Sequence, residues 1–174
     1  MENQLDNYRQ MVARVDALCR EIRDVLSGRI TCSEGCSSCC TAITLFPVEA
    51  AALNAALEAL PTDQQMAIRR HVAEHADGER CPLLEHHRCL LYAARPIICR
   101  THGLPIIYSE GSQRKTDCCP LNTIEDESVP GAAVIDLDRL NTLLVAVNAL
   151  YVSHADLDDP PERLTIAEAL KAKP

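Results

Sequence analysis

The sequence predicts a mainly α-helical chain with a small irregular α+β cysteine-rich metal-binding module built on short β-hairpins. Three observations predict it. Apolar residues recur at alternating spacings of three and four near both ends of the chain. Nine of the ten cysteines fall between Cys32 and Cys119. Between 81 and 119 short apolar runs alternate with turn residues. A three–four spacing is the mark of a helix that buries one face, and short runs bounded by turn residues are the mark of hairpins. A length of 174 residues suits one domain. The expectation is therefore a single domain over 1–174, with the cysteine module at 32–119 flanked by long helices at about 3–27 and 136–153.

The first seam is Leu5, Tyr8, Val12, Val15, Cys19, Ile22 and Leu26, and Gly28 supplies its stop. Cys19 lies on this seam and is expected in the core, where a free Cys behaves as a small hydrophobe. Ala42–Phe46 leans towards strand, and Pro47 opens a helix that runs through Ala59 on helix-favouring residues. Pro61 breaks the run. Thr62 and Gln65 then form a capping-box start for a helix to about Ala76, closed by Gly78. His71 and His75 lie i, i+4 on it, a spacing able to bind zinc. No Glu sits beside His71, as metalloprotease chemistry needs, so both are read as solvated.

Residues 81–92 read as a hairpin with His86 and His87 at an exposed tip. Arg95-Pro96 ends it, and Cys99-Arg100 begins a turn. Leu104–Tyr108 and Arg114–Asp117 read as a second hairpin across Ser-Glu-Gly-Ser. An acidic linker at 122–134 carries Glu125, Asp126 and Glu127. The second seam, Leu137, Leu140, Leu144, Val147 and Tyr151, follows from Asp136, and Arg163–Lys171 adds a short helix. The two seams are expected to pack on each other.

Cys32, Cys36, Cys39 and Cys40 put four thiols into nine residues. Structural cysteines arrive singly at helix or strand spacing, whereas thiolates gathered in a loop select zinc or iron–sulfur centres. Adding Cys81, Cys89, Cys99, Cys118 and Cys119 gives nine candidate metal ligands. The first ten residues have no apolar stretch of the kind that marks a secretory signal. No run approaches the roughly 18–20 apolar residues of a membrane span. The expected location is therefore cytoplasmic, without a membrane partner, where close thiols bind metal or do redox chemistry rather than pair as disulfides.

With 17 Lys+Arg against 25 Asp+Glu the net charge is −8, which opposes nucleic-acid binding. No Trp, one Phe and four Tyr leave no stacking platform for single strands. Against that acidic background, residues 80–119 hold six bases and three acids. Guanidinium groups there would offset thiolate charge. A core of small aliphatic side chains also implies that the metal contributes to folding.

Adjacent Cys39 and Cys40 are awkward on one tetrahedral ion. They could serve two ions, bridge, or divide into ligand and supporting sulfur. The spacing Cys32-x3-Cys36-x2-Cys39 is similar to the cluster loop of radical S-adenosylmethionine enzymes, but those place it in a barrel of β/α units for which this chain is too small. The Cys32–Cys40 and Cys81–Cys119 stretches are expected to close on one shared metal centre or two adjacent ones, with the helices of 47–76 as a strap.

The whole pattern takes in Cys-x3-Cys-x2-Cys-Cys, Cys81-Pro82-Leu83-Leu84, the block Cys89-Leu90-Leu91-Tyr92-Ala93-Ala94-Arg95-Pro96-Ile97-Ile98-Cys99-Arg100 and a final Cys. It resembles the YkgJ-type cysteine-cluster family, the CxxCxxCC or zinc- or iron-chelating domain, over Cys32 to Cys119. The resemblance implies eight metal-site cysteines: Cys32, Cys36, Cys39, Cys40, Cys81, Cys89, Cys99 and one of Cys118 and Cys119. Two departures are the x3 first spacing, where x2 is common, and the terminal Cys-Cys-Pro doublet.

Arg95 is expected to pin its loop through carbonyl contacts while Tyr92 packs, and His102 stands near enough to Cys99 in sequence to support or join a site. Three functions remain open. One is a cytosolic metal-binding protein whose cysteines chelate zinc or iron, as an iron–sulfur or iron–thiolate centre, for metal handling or electron transfer. Another is a zinc-stabilised module with a protein partner. The third is a metal-dependent enzyme of unknown substrate. Cys-Pro pairs at 81–82 and 119–120 lean towards iron; loop-and-hairpin architecture suits zinc equally.

Overall fold

Burial of one face every third or fourth residue makes the first seam a long helix in the computed structural model, which describes residues 2–33, 35–124, 129–155 and 159–171. A 3-10 turn at Glu2–Leu5 leads into α1, Asp6–Val25, and Gly28 takes the left-handed conformation (φ +78°) just beyond it. Leu5, Tyr8, Val15, Cys19, Ile22 and Leu26 are buried as the spacing requires, but Met11 takes the buried place expected of Val12. The long flexible Met side chain fills the gap that a branched Val one residue on would reach from the helix edge.

Two compact units divide the chain. The first contains Met1–Tyr8, Glu34–Pro96 and Val147–Pro174. Its helices α2, Pro47–Glu58, and α3, Thr62–Glu74, follow the short strand β1, Thr44–Leu45. Pro47 opens α2, and the Phe46 amide donates to Glu49 Oε2 at 3.2 Å. The expected Thr62 cap of α3 does not form. Pro61 is the N-cap, and Gln65 Nε2 instead donates to Glu58 O (3.0 Å) and Leu60 O (2.7 Å). Gln65 thus satisfies orphan carbonyls at the end of α2, which compete for the side chain a capping box would need.

The predicted first hairpin is β2, Leu84–Glu85, paired antiparallel with β3, Arg88–Cys89. His86 and His87 form its tip with φ of 46° and 63°, the left-handed pair that matches the twist of a two-residue hairpin. The end of the last seam belongs to this unit too. Within it, Gln4 Nε2 donates to His154 O at 2.8 Å and Asn148 Oδ1 accepts from the Val48 amide at 3.1 Å. The predicted C-terminal helix is one turn, α6, Ile166–Ala169, capped by Thr165 and Glu168. Before it, β7, Leu164–Thr165, pairs antiparallel with β1, a ladder the sequence did not announce. Leu45, Leu53, Leu57, Val72, Leu83, Ile166 and Leu170 make the core of this unit, each 2% exposed or less.

The second unit contains Arg9–Ser33 and Ile97–Ala146. Where a turn is expected at Cys99-Arg100, the chain forms a short helix, α4, Ile97–Thr101. Pro96 presets its entry, and Thr101 Oγ1 donates back to Ile98 O at 3.1 Å. The second hairpin is β4, Ile106–Glu110, with β5, Gln113–Asp117. A third strand, β6, Ile135–Asp136, adds in parallel to β4; two residues are too short for a periodicity to show. The last long helix, α5, Leu137–Ala155, buries Leu140 and Leu144. Leu137, Val147 and Tyr151 are half-buried. The acidic residues Glu125, Asp126 and Glu127 lie outside the described residues.

Candidate metal centre

Five of the candidate thiols belong to the first unit: Cys36, Cys39, Cys40, Cys81 and Cys89. Backbone pairing brings the two stretches together. Thr41 and Arg80 form an antiparallel bridge, the Cys81 amide donates to Cys40 O (3.1 Å), and the Ala42 amide to Glu79 O (2.9 Å). That bridge sets Cys40 beside Cys81. The hairpin then returns Cys89 opposite Leu84, and the Leu84 amide donates to Cys81 O at 2.9 Å. Cys81 and Cys89 both pack against the apolar core of the unit.

Electrostatics shows the sulfurs acting on one another. Burial pushes the Cys81 thiol up to about 11, against a backbone hydrogen bond from Leu83, and Cys89 and Cys40 add to the rise. Cys40 is raised by burial first and then by Cys89 and Cys36. Cys89 is raised by burial and held back by the Leu91 backbone and by Arg95. Two guanidiniums oppose the trend. Arg80 lowers both Cys40 and Cys81, and Arg95 lowers Cys89 while stacking 3.6 Å over the Tyr92 ring and donating Nε to Tyr92 O at 3.0 Å. Arg95 therefore pins its loop, as expected, and also acts on sulfur.

Three other bases of 80–119 have different partners. Arg100 grips Asp16 at 2.8 and 2.9 Å, Arg114 pairs with Asp136 and Asp138, and Lys115 pairs with Glu110. The offsetting charge at the thiols comes from Arg80 and Arg95.

In the second unit Cys19 is core, 6% exposed, with its thiol donating to Arg100 O at 3.6 Å. Cys32, Cys99, Cys118 and Cys119 are half-buried. The Cys32 thiol points at His102 O (3.9 Å), and Arg23 holds the Cys32 carbonyl at 2.9 Å. Cys32 and Cys119 flank Gly103, whose φ is +86°. A Cβ there would stand 3.1 Å from Cys32 Sγ and 3.6 Å from Cys119 Cβ. The Cys118 amide is tied to Asp117 Oδ1 at 2.8 Å. Burial lowers the His102 pKa.

His71 is half-buried rather than solvated. Its ring stacks on His75 at 4.3 Å, and it approaches Leu84 O (3.3 Å) and Glu85 (3.5 Å), because α3 faces the hairpin. Sequence reading also passed over Ser37. It is 8% exposed, and its hydroxyl meets His87 Nδ1 at 2.9 Å while Arg80 Nη2 donates to its carbonyl at 2.7 Å. A serine between cysteines carries no spacing signal.

Among the described residues, no three His, Cys, Asp or Glu side chains stand in a ligating arrangement. The fit to a metal lies in the donor set, five thiols gathered by one bridge and one hairpin, with Arg80 and Arg95 lowering the pKa of Cys40, Cys81 and Cys89. That chemistry matches thiolate ligation of a borderline metal.

The family model CxxCxxCC, described as "Putative zinc- or iron-chelating domain", matches residues 31–120, more than half of the chain. The chain belongs to this family. No curated protein and no solved structure matches it. The matched stretch of this chelating-domain protein takes in all nine candidate ligands from Cys32 to Cys119, and membership supports binding of zinc or iron. Among the described residues no helix is long and apolar enough to cross a membrane.

Proposed function

We propose that this chelating-domain protein holds zinc or an iron centre, iron–sulfur or iron–thiolate, through thiolates of Cys36, Cys39, Cys40, Cys81 and Cys89. Cys32, Cys99, Cys118 and Cys119 are the further ligand candidates. The role is metal handling or electron transfer in the cytoplasm. The observation that carries this reading is the bridge of Thr41 with Arg80, which sets Cys40 beside Cys81. Buried thiols keep their protons until something replaces them. Deprotonating Cys81 at neutral pH against a pKa of about 11 costs about 5 kcal/mol. Zinc–thiolate ligation of a whole site is worth about 10–16 kcal/mol, a sum from which the deprotonation of each raised thiol must be met; Arg80 lowers that cost at Cys40 and Cys81, and Arg95 at Cys89.

Elemental analysis and a visible spectrum of anaerobically purified protein test this. Broad sulfur-to-iron charge-transfer bands identify iron; a colourless zinc-loaded protein identifies zinc. Protein that takes up neither metal overturns the reading. A second reading, a zinc-stabilised module with a protein partner, is favoured by Leu143, Val145 and Leu150, which stand 52%, 51% and 47% exposed on α5.

A further inference from the structure

We propose that Ser37, Arg80 and His87 are positioning residues that preorganise the Cys36–Cys40 loop against Cys81 and Cys89 before any metal arrives. The consequence for affinity rests on the metal reading above; the preorganisation itself does not. Ser37 sits at the centre of the loop, buried, and both its carbonyl and its hydroxyl are engaged. Its carbonyl accepts two hydrogen bonds, from Arg80 Nη2 at 2.7 Å and from the Cys40 amide at 3.1 Å. Its hydroxyl meets His87 Nδ1 at 2.9 Å. The hydroxyl donates to a bare Nδ1 and accepts from a protonated one, so the contact survives either tautomer.

These three bonds tie together the parts that carry the five thiols. Arg80 precedes Cys81, and its backbone already bridges Thr41. His87 is the hairpin tip two residues before Cys89. Ser37 lies between Cys36 and Cys39. One buried residue thus joins the loop to both flanks without using a sulfur, which leaves the thiols available for a metal. A loop ordered in advance does not lose its conformational freedom on binding, and that saving appears as affinity.

The left-handed backbone of His87 (φ 63°) allows a clean pair of variants. His87→Gly removes the ring and keeps the conformation, whereas His87→Asn keeps a hydrogen-bonding group near the Nδ1 position and tolerates positive φ. Ser37→Ala removes the hydroxyl, and Arg80→Gln removes the cation.

The experiment is amide hydrogen exchange on metal-free, full-length protein, followed by chelator-competition titration with Zn²⁺. Ser37→Ala and His87→Gly should speed exchange at the Cys40 amide at least tenfold. The amides of Leu53 and Leu57 in α2 should keep their wild-type rates. The same variants should weaken Zn²⁺ binding about tenfold, with His87→Asn close to wild type in both measurements. Arg80→Gln should weaken binding at least as much, since it removes the carbonyl bond and the charge together. Exchange at Cys40 within twofold of wild type in Ser37→Ala and His87→Gly would overturn the proposal. So would equal losses in His87→Asn and His87→Gly. If wild-type protein fails to bind Zn²⁺ or iron, the metal reading falls, while the exchange rates still decide the positioning role.

Discussion

The thiols of the two units are held in different ways. In the first unit a backbone bridge and a hairpin gather Cys36, Cys39, Cys40, Cys81 and Cys89, and the sulfurs of Cys40 and Cys81 respond to their neighbours. In the second unit the contacts are different: the Cys32 thiol points at the His102 carbonyl, the Cys118 amide donates to the Asp117 side chain, and Cys32 and Cys119 lie around Gly103. The lesson is that spacing in sequence identifies sulfur-rich segments but not which sulfurs share an electrostatic environment. Strand pairing does that.

The largest effect should come from removing metal. Chelation should lower the thermal midpoint by several degrees or more while the metal-free protein stays folded, because metal binds the folded arrangement of thiols and so adds to its stability. Cys81→Ser and Cys89→Ser should each abolish stoichiometric metal content by elemental analysis. An unchanged melting temperature after chelation would contradict this. Equal metal loss from Cys118→Ser would erase the difference between the two groups.

Leu170→Ala strikes the core beneath the first group. The side chain is 1% exposed, and truncation should cost about 2–5 kcal/mol in urea unfolding. Gly103→Ala strikes the second group. Positive φ alone costs about 1–3 kcal/mol, and the new methyl meets Cys32 at 3.0 Å, so Cys32 must shift. A loss below about 0.5 kcal/mol would show that the glycine is not needed there.

Cys19→Ala should lose only packing, about 1 kcal/mol, with metal content unchanged; a drop in metal would overturn its core assignment. The smallest effect concerns acid. Arg114, by its hydrogen bond and charge, holds the Asp136 carboxyl below its usual value. A depressed carboxylate stabilises the fold above its unfolded pKa of about 4 and ceases to as pH falls through the folded value. Arg114→Ala should therefore flatten the acid limb of the stability profile below about pH 4.

Much of this was legible in the residues. The three–four seams, Pro47 and Pro61, and the His86-His87 tip each announced an element, because helix period, proline geometry and two-residue turns are local properties. What was not legible was non-local. The ladders of β1 with β7 and β4 with β6 are two residues long, too short for alternation to register. Gln65 was drawn away from its expected capping role by carbonyls of the preceding helix. Ser37 gave no signal, because its value depends on Arg80 and His87 arriving beside it.

The ladder of Thr44–Leu45 with Leu164–Thr165 bears on when the thiols can mature. Ile166 and Leu170, which follow that ladder, belong to the core against which Cys81 and Cys89 pack. A ribosome delivers the chain at about 5–20 residues per second, so Cys89 is made several seconds before Leu170. During that interval the sulfurs exist without their finished support. Metal acquired then would meet a loose set of thiols open to exchange with other cellular ligands. Metal acquired afterwards would meet a completed floor. Loading of this protein should accordingly be a post-translational event, set by the synthesis of residues far downstream of the cysteines themselves.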